Sequence, residues 1–258
     1  MLLPRVLTAI VGIPLMLFLI HWGGLSFALF TTAIAALALY EYGVLLLLGG
    51  KPAQRLTAAL CGSSLALCQA LQGPLGLILA GSAAVIVLRE MAARDSSLER
   101  AALTLFGAVF IGWMPAHLAL IRDIRPFGER LTFMVFVSIW VCDTSAYFVG
   151  RAMGKHKLAP ILSPKKTWEG FVAGFIGSTA VVFAFRAATP AMMTLPRAIA
   201  TALAIGLLGQ VSDIAESMVK RAVGAKDSGA ILPGHGGVMD RFDSFILAAP
   251  AVYYCLTF

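Results

Sequence analysis

The chain has 258 residues, of which 59% are hydrophobic and only 13% charged, and its mean hydropathy is +0.88. A soluble domain carries roughly 25% charged residues, so a soluble globular fold is excluded. The net charge of +7 would suggest nucleic acid in a soluble protein; in this composition it belongs to loops facing anionic headgroups, and no nucleic-acid partner is expected.

The N-terminus carries Arg5 and then a long apolar run without a small-residue cleavage site, which reads as a retained first span. Counting runs of about 20 mostly apolar residues gives about nine transmembrane helices. They fall near 6–23, 25–48, 57–72, 75–93, 101–121, 131–150, 169–187, 197–216 and 244–258, the third and last being short. The fold class expected is therefore all-α, a polytopic integral membrane helical bundle. Pro14 and Pro115 do not veto their spans, because neighbouring helices can satisfy the freed backbone groups. Cys61, Cys68, Cys142 and Cys255 sit in apolar runs without paired metal spacing and read as small buried residues.

Loop charge sets the orientation. With a cytoplasmic N-terminus, 15 of the Lys and Arg residues fall on the cytoplasmic side and 5 on the other, as the positive-inside rule requires. The exception is the stretch RDIRPFGER, which places Arg122, Arg125 and Arg130 outside. Both long polar loops, 151–168 and 217–243, then face the cytoplasm, where nucleoside triphosphates are. By its chemistry the chain divides into N-terminal scaffold spans (1–100) and a C-terminal catalytic region (101–258) that carries these loops.

Ionisable residues inside spans are costly and mark function by default. Asp143, in IWVCDTSAYFVG, and Asp213, in GQVSDIAES, lie near the cytoplasmic ends of their spans. Glu41 lies at the same end of the second span, where a buried ion pair or a hydrogen bond to a neighbouring span is the expected role. Asp213, Glu216 and Ser217 share a helix face, and Lys220 extends it by a turn. Asp213, Asp240 and Asp243 offer the hard oxygen ligands that magnesium takes together with substrate phosphates.

The loop GRAMGKHKLAPILSPKKTWEG supplies lysines for phosphate oxygens, with Thr167 placed to cap the next helix and Trp168 at headgroup level. In PGHGGVMD the glycines allow close backbone approach to an anion. His21, His117 and His156 read as interface, packing and loop residues.

These residues resemble a known family. Ser217-Met218-Val219-Lys220-Arg221, Lys226-Asp227, Pro233-Gly234-His235-Gly236-Gly237 and Asp240-Arg241-Phe242-Asp243 are similar to the long signature of the phosphatidate cytidylyltransferases, also called CDP-diacylglycerol synthases. Asp143-Thr144-Ser145-Ala146-Tyr147, Gly154-Lys155 and Ser163-Pro164-Lys165-Lys166-Thr167-Trp168-Glu169-Gly170 also look like this family. The specific motifs cover the C-terminal half; no functional residue is carried onto the first half.

The resemblance implies a nucleotidyltransferase of phospholipid biosynthesis that converts CTP and phosphatidate to CDP-diacylglycerol and pyrophosphate, with Mg2+ as cofactor. It implies metal ligation by Asp213, Asp240 and Asp243, and catalytic roles for Lys220, Arg221, Lys226, Asp227 and His235. Substrate contacts are expected from Ser217, Lys165, Lys166, Thr167, Gly236, Gly237 and Arg241. The partners are CTP and membrane-borne phosphatidate, in an inner or plasma membrane of bacterial type, and a homodimer is compatible with this picture. A CTP-dependent lipid kinase and an ion-coupled transporter are the competing readings. Product identity separates the first; the collection of acids at one membrane face, without an inverted repeat, argues against the second.

Overall fold

The computed structural model describes residues 3–229, 231 and 236–258, with side chains from Ile10 onward. The described residues are nearly all helical. In chain order they form α1 (Leu3–Trp22), α2 (Gly24–Leu48), α3 (Arg55–Ala70), α4 (Leu75–Met91), α5 (Leu98–Phe106), α6 (His117–Arg122), α7 (Gly128–Met153), α8 (Trp168–Ala188), α9 (Leu195–Leu203), α10 (Gln210–Ala222) and α11 (Met239–Thr257). A π-helical stretch, Gly107–Trp113, and a single 3-10 turn join α5 to α6, and a second π-helical stretch, Ala204–Gly209, joins α9 to α10.

Among the described residues, five rods are long and apolar enough to cross a membrane: Gly24–Leu48, Leu98–Arg122, Gly128–Met153, Trp168–Ala188 and Leu195–Ala222. Large apolar side chains such as Leu25, Leu48, Leu77, Val85 and Ile176 point outward. Water does not tolerate so extensive an apolar surface, whereas lipid does. The chain is an integral membrane protein.

The all-α expectation needs one amendment. The loop after α7 holds a small antiparallel hairpin, β1 (Lys157–Ala159) with β2 (Ser163–Thr167), pairing Lys157 with Thr167 and Ala159 with Ser163. An isolated two-stranded hairpin is marginal, and this one is tied to the start of α8. Thr167 caps that helix by accepting from the Gly170 N–H at 3.2 Å. Trp168 donates its N–H to the His156 carbonyl at 2.9 Å, and the His156 ring meets Glu169 at 2.6 Å. Thr167→Val keeps the shape but removes the capping oxygen, and is expected to destabilise this junction by about 1 kcal/mol. Faster amide exchange at Trp168–Gly170 in the variant is the measurement that checks it.

By packing, the described residues form two compact units. One takes the residues up to Leu120 and from Lys220 to Phe242; the other takes Ile121–Val219 and Asp243–Phe258. In the first unit, Gly62 and Gly112 allow α3 to press against the π-helical stretch, where a Cβ on Gly112 would stand 2.7 Å from the Gly62 Cα. Buried Glu90 ties the ends of α4 and α5 together: it takes Arg100 Nη2 at 2.7 Å, the Ser97 N–H at 2.7 Å and Gln54 Nε2 at 2.7 Å. A hydrogen bond from the same Arg100 holds the carboxyl of Asp95, in the connecting loop, below the usual aspartate range.

In the second unit, α7 and α8 pack along each other. Gly174 and Gly177 make room on α8 for Cys142 and Ser145 of α7. Gly206 admits Phe175 to the π-helical stretch before α10. Gln210, the first residue of α10, is anchored by donating to the Phe171 carbonyl at 3.0 Å.

Candidate active site

The second unit gathers three carboxylates. Asp213 and Glu216 are three residues apart on α10 and so share its face. Asp243 reaches the same point from α11, and one oxygen of each residue lies within 4.8 Å of the others. The backbone is fixed beside them by Ser212. Its hydroxyl donates to the Asp243 carbonyl and accepts from the Leu247 N–H at 3.2 Å, joining α10 to one rung of α11. Glu216 is 1% exposed. Lys166 of β2 pairs with Asp213 at 2.6 Å, and exposed Asp143 of α7 adds a further negative charge within electrostatic range of Asp243.

At an effective dielectric of about 20, two like charges this close repel by about 3 kcal/mol. Three ionised carboxylates held so near one another are stabilised by positive charge, of which Lys166 supplies one unit. The set consists of carboxylate oxygens, with neither His nor Cys, and matches the hard-donor chemistry of a divalent cation such as magnesium.

The first unit holds a second polar cluster. Lys220, near the end of α10, donates to Asp240 Oδ1 at 2.7 Å, and both side chains are about nine-tenths buried, at 11% and 10% exposure. Asp240 Oδ2 accepts from the Ser228 N–H at 3.0 Å, the Ser228 hydroxyl at 2.9 Å and the Gly237 N–H at 3.0 Å. One aspartate therefore ties Ser228 and Gly237 to the start of α11 and holds a lysine beside them. Gly236 has φ +83° with Asp240 beside it, a backbone conformation that favours glycine.

Glu41 of α2 also reaches this segment, taking the Val238 and Met239 N–H groups at 2.9 Å each. The sequence-based expectation is a buried ion pair or a hydrogen bond to a neighbouring span; the side chain is buried and hydrogen-bonds to the backbone of Val238 and of Met239, the first residue of α11.

The remaining sequence candidates are placed as follows. Ser217 is buried on α10. Arg221 is exposed and donates to the Ala225 carbonyl at 2.7 Å. Lys165, Lys226, Asp227 and Arg241 are exposed, and the three cations among them are able to meet a soluble anion or a headgroup. Thr167 is occupied as a helix cap. Pro233, Gly234 and His235 lie outside the described residues.

Sequence reasoning left Glu216 out of the ligand set, although its helix-face spacing with Asp213 was the available signal. It gave no part to Ser228, a lone serine in a polar loop, for which no pattern stood out.

The fold and these two clusters define a class: an α-helical membrane protein whose polar helix ends carry carboxylates and lysines suited to phosphate esters and a divalent cation. The chain belongs to the cytidylyltransferase family, which residues 3–258 match. It is 36% identical over 255 residues to a phosphatidate cytidylyltransferase of Brucella abortus, covering 96% of this chain and 91% of that one. It is 34% identical over 255 residues to the Staphylococcus epidermidis protein of the same name, covering 95% of each. Against the Staphylococcus aureus protein of that name the identity is 33% over 252 residues, with 95% of each covered.

Proposed function

We propose that this chain transfers the cytidylyl group of CTP to phosphatidate, forming CDP-diacylglycerol and releasing pyrophosphate. The observation that carries this reading is likeness over nearly the whole length to phosphatidate cytidylyltransferases, in a chain whose carboxylate trio and lysines suit that chemistry.

In the reaction, a phosphate oxygen of the lipid attacks the α-phosphorus of CTP. The bond from that phosphorus to the oxygen bridging to the β-phosphorus breaks, and pyrophosphate leaves with the electron pair. The second pKa of a phosphomonoester is about 6, so the nucleophile is already largely anionic and no protein base is assigned. What remains is to position two anions and stabilise the charge of the leaving group.

Asp213, Glu216 and Asp243 are proposed to hold magnesium, whose charge would offset that of the phosphate oxygens. Asp240, grouped with the metal ligands on sequence grounds, is assigned instead to Lys220 and the preceding segment, because its oxygens meet those donors. Lys220 and Lys166 are buried or half-buried cations on carboxylate partners, poised for phosphate oxygens. Exposed Lys165, Arg221, Lys226 and Arg241 are proposed to guide CTP and the lipid headgroup.

The orientation proposed is nine spans with both polar loops in the cytoplasm, following the charge asymmetry of the loops. CTP arrives from water, while phosphatidate stays in the bilayer.

Product analysis tests the proposal. The purified chain in detergent, given phosphatidate, magnesium and CTP labelled separately at the α- and γ-positions, is expected to place α-label in the lipid and γ-label in pyrophosphate. γ-Label in the lipid would establish a kinase instead and refute the proposed transfer.

A further inference from the structure

The start of α11 draws on a distant side chain. The residue before Met239 is Val238, which has no side-chain oxygen to satisfy the first N–H groups of the helix. The Val238 and Met239 N–H groups are satisfied from far along the chain. Glu41 Oε1 accepts from the Val238 N–H and Oε2 from the Met239 N–H, each at 2.9 Å. A carboxylate at a helix N-terminus also meets the positive end of its dipole.

The arrangement reaches Asp240 by two routes. The Ser228 hydroxyl lies 2.9 Å from Asp240 Oδ2 and 3.3 Å from Glu41 Oε2, between the two carboxylates. Asp240 itself reaches back three residues to the Gly237 N–H at 3.0 Å, in the manner of a capping box. The backbone presses closely on Glu41: a Cβ would stand 2.8 Å from its Oε1 at Gly229 and 2.5 Å from its Oε2 at Gly237. Glycine at Gly229 is thereby explained by the carboxylate, and at Gly237 by the Ser228 hydroxyl, which lies nearest to such a Cβ, together with the carboxylate. Glu41 is 2% exposed, so its hydrogen bonds form where water does not compete and where an unmatched donor is expensive to leave.

We propose that Glu41 is a positioning residue for the transfer reaction. From the N-terminal half it holds Ser228 and the Gly237–Met239 backbone, and through them it sets Asp240 and the paired Lys220. The inference rests on the function proposed above, but the anchoring can be read separately from it.

The test compares the purified full-length wild type with Glu41→Gln and Glu41→Asp, in detergent. Two quantities are read for each: kcat with KM for CTP, and amide hydrogen exchange along the chain. Glutamine keeps one acceptor oxygen and turns an NH2 group toward an amide N–H, leaving a buried donor unmatched. Its kcat is expected to fall about ten- to a hundredfold with KM for CTP little changed. Exchange is expected to quicken at 226–229 and 236–240 and to stay unchanged in the peptides of α3 and α7. Glu41→Asp keeps the charge on a shorter arm and is expected to recover part of both losses.

Wild-type kcat in Glu41→Gln overturns the proposal, as does a fall in kcat without local exchange. Loss of protection throughout the chain, or failure of both variants to fold, also overturns it and leaves Glu41 a purely architectural residue. If the wild type itself makes no cytidylylated lipid, the functional reading fails; the exchange comparison still decides whether Glu41 anchors the segment.

Discussion

Asp243→Asn is expected to reduce turnover by more than the roughly 10–100-fold that loss of an outer partner of a metal ligand brings, while the protein still inserts and folds. Charge repulsion is the cause. Asp213, Glu216 and Asp243 bring oxygens within 4.8 Å of one another, with Glu216 buried. When ionised they repel by about 3 kcal/mol per pair at an effective dielectric of about 20, and Lys166 offsets only one of the three charges. Removing one charge therefore leaves the metal-free protein as stable as before or more so, and takes away much of the affinity for a divalent ion.

The readout is thermal unfolding in detergent with and without magnesium. The wild type is expected to gain stability with rising magnesium, as any ion bound by the native state requires. Asp243→Asn should lose that gain together with activity. Wild-type turnover, or an undiminished magnesium effect in the variant, would remove Asp243 from the proposed ligand set.

Asp240→Asn is expected to abolish turnover by a different route. Asp240 holds Lys220 at 2.7 Å and accepts from Ser228 and the Gly237 N–H. Removing one partner of a buried pair leaves the other uncompensated, at about 3–5 kcal/mol in well-buried cases. The variant should therefore be less stable than the wild type, yet keep its stabilisation by magnesium. Measured beside Asp243→Asn, it separates a ligand from a residue that places a lysine. Loss of the magnesium effect in Asp240→Asn would return Asp240 to the ligand set suggested by its sequence motif.

Much of this architecture was legible in the sequence because hydrocarbon length and charge are local properties. The Gly24–Leu48 rod follows from an apolar run long enough to span, and the Thr167 cap from one residue type just before a helix. The helix face shared by Asp213 and Glu216 follows from a spacing of three. The β1–β2 hairpin was not legible. Lys157–Ala159 and Ser163–Thr167 carry no clean alternation of apolar and polar residues, and their pairing depends on the start of α8 beside them.

By itself, then, the sequence determined that the chain lives in a membrane, which ends of its spans carry charge, and which residue types are available for phosphate chemistry. Those follow from composition, run length and helical period, each of which acts over a few turns. Only the tertiary structure decided how the acids divide. Asp240 and Asp243 are three residues apart in one motif, yet Asp240 turns to Lys220 and Ser228 while Asp243 joins Asp213 and Glu216. Glu41 could not be assigned from its own surroundings either, since its partners Val238 and Met239 lie 197 and 198 residues away. A buried carboxylate must find donors wherever the fold brings them, and sequence spacing says nothing about donors that arrive from another helix.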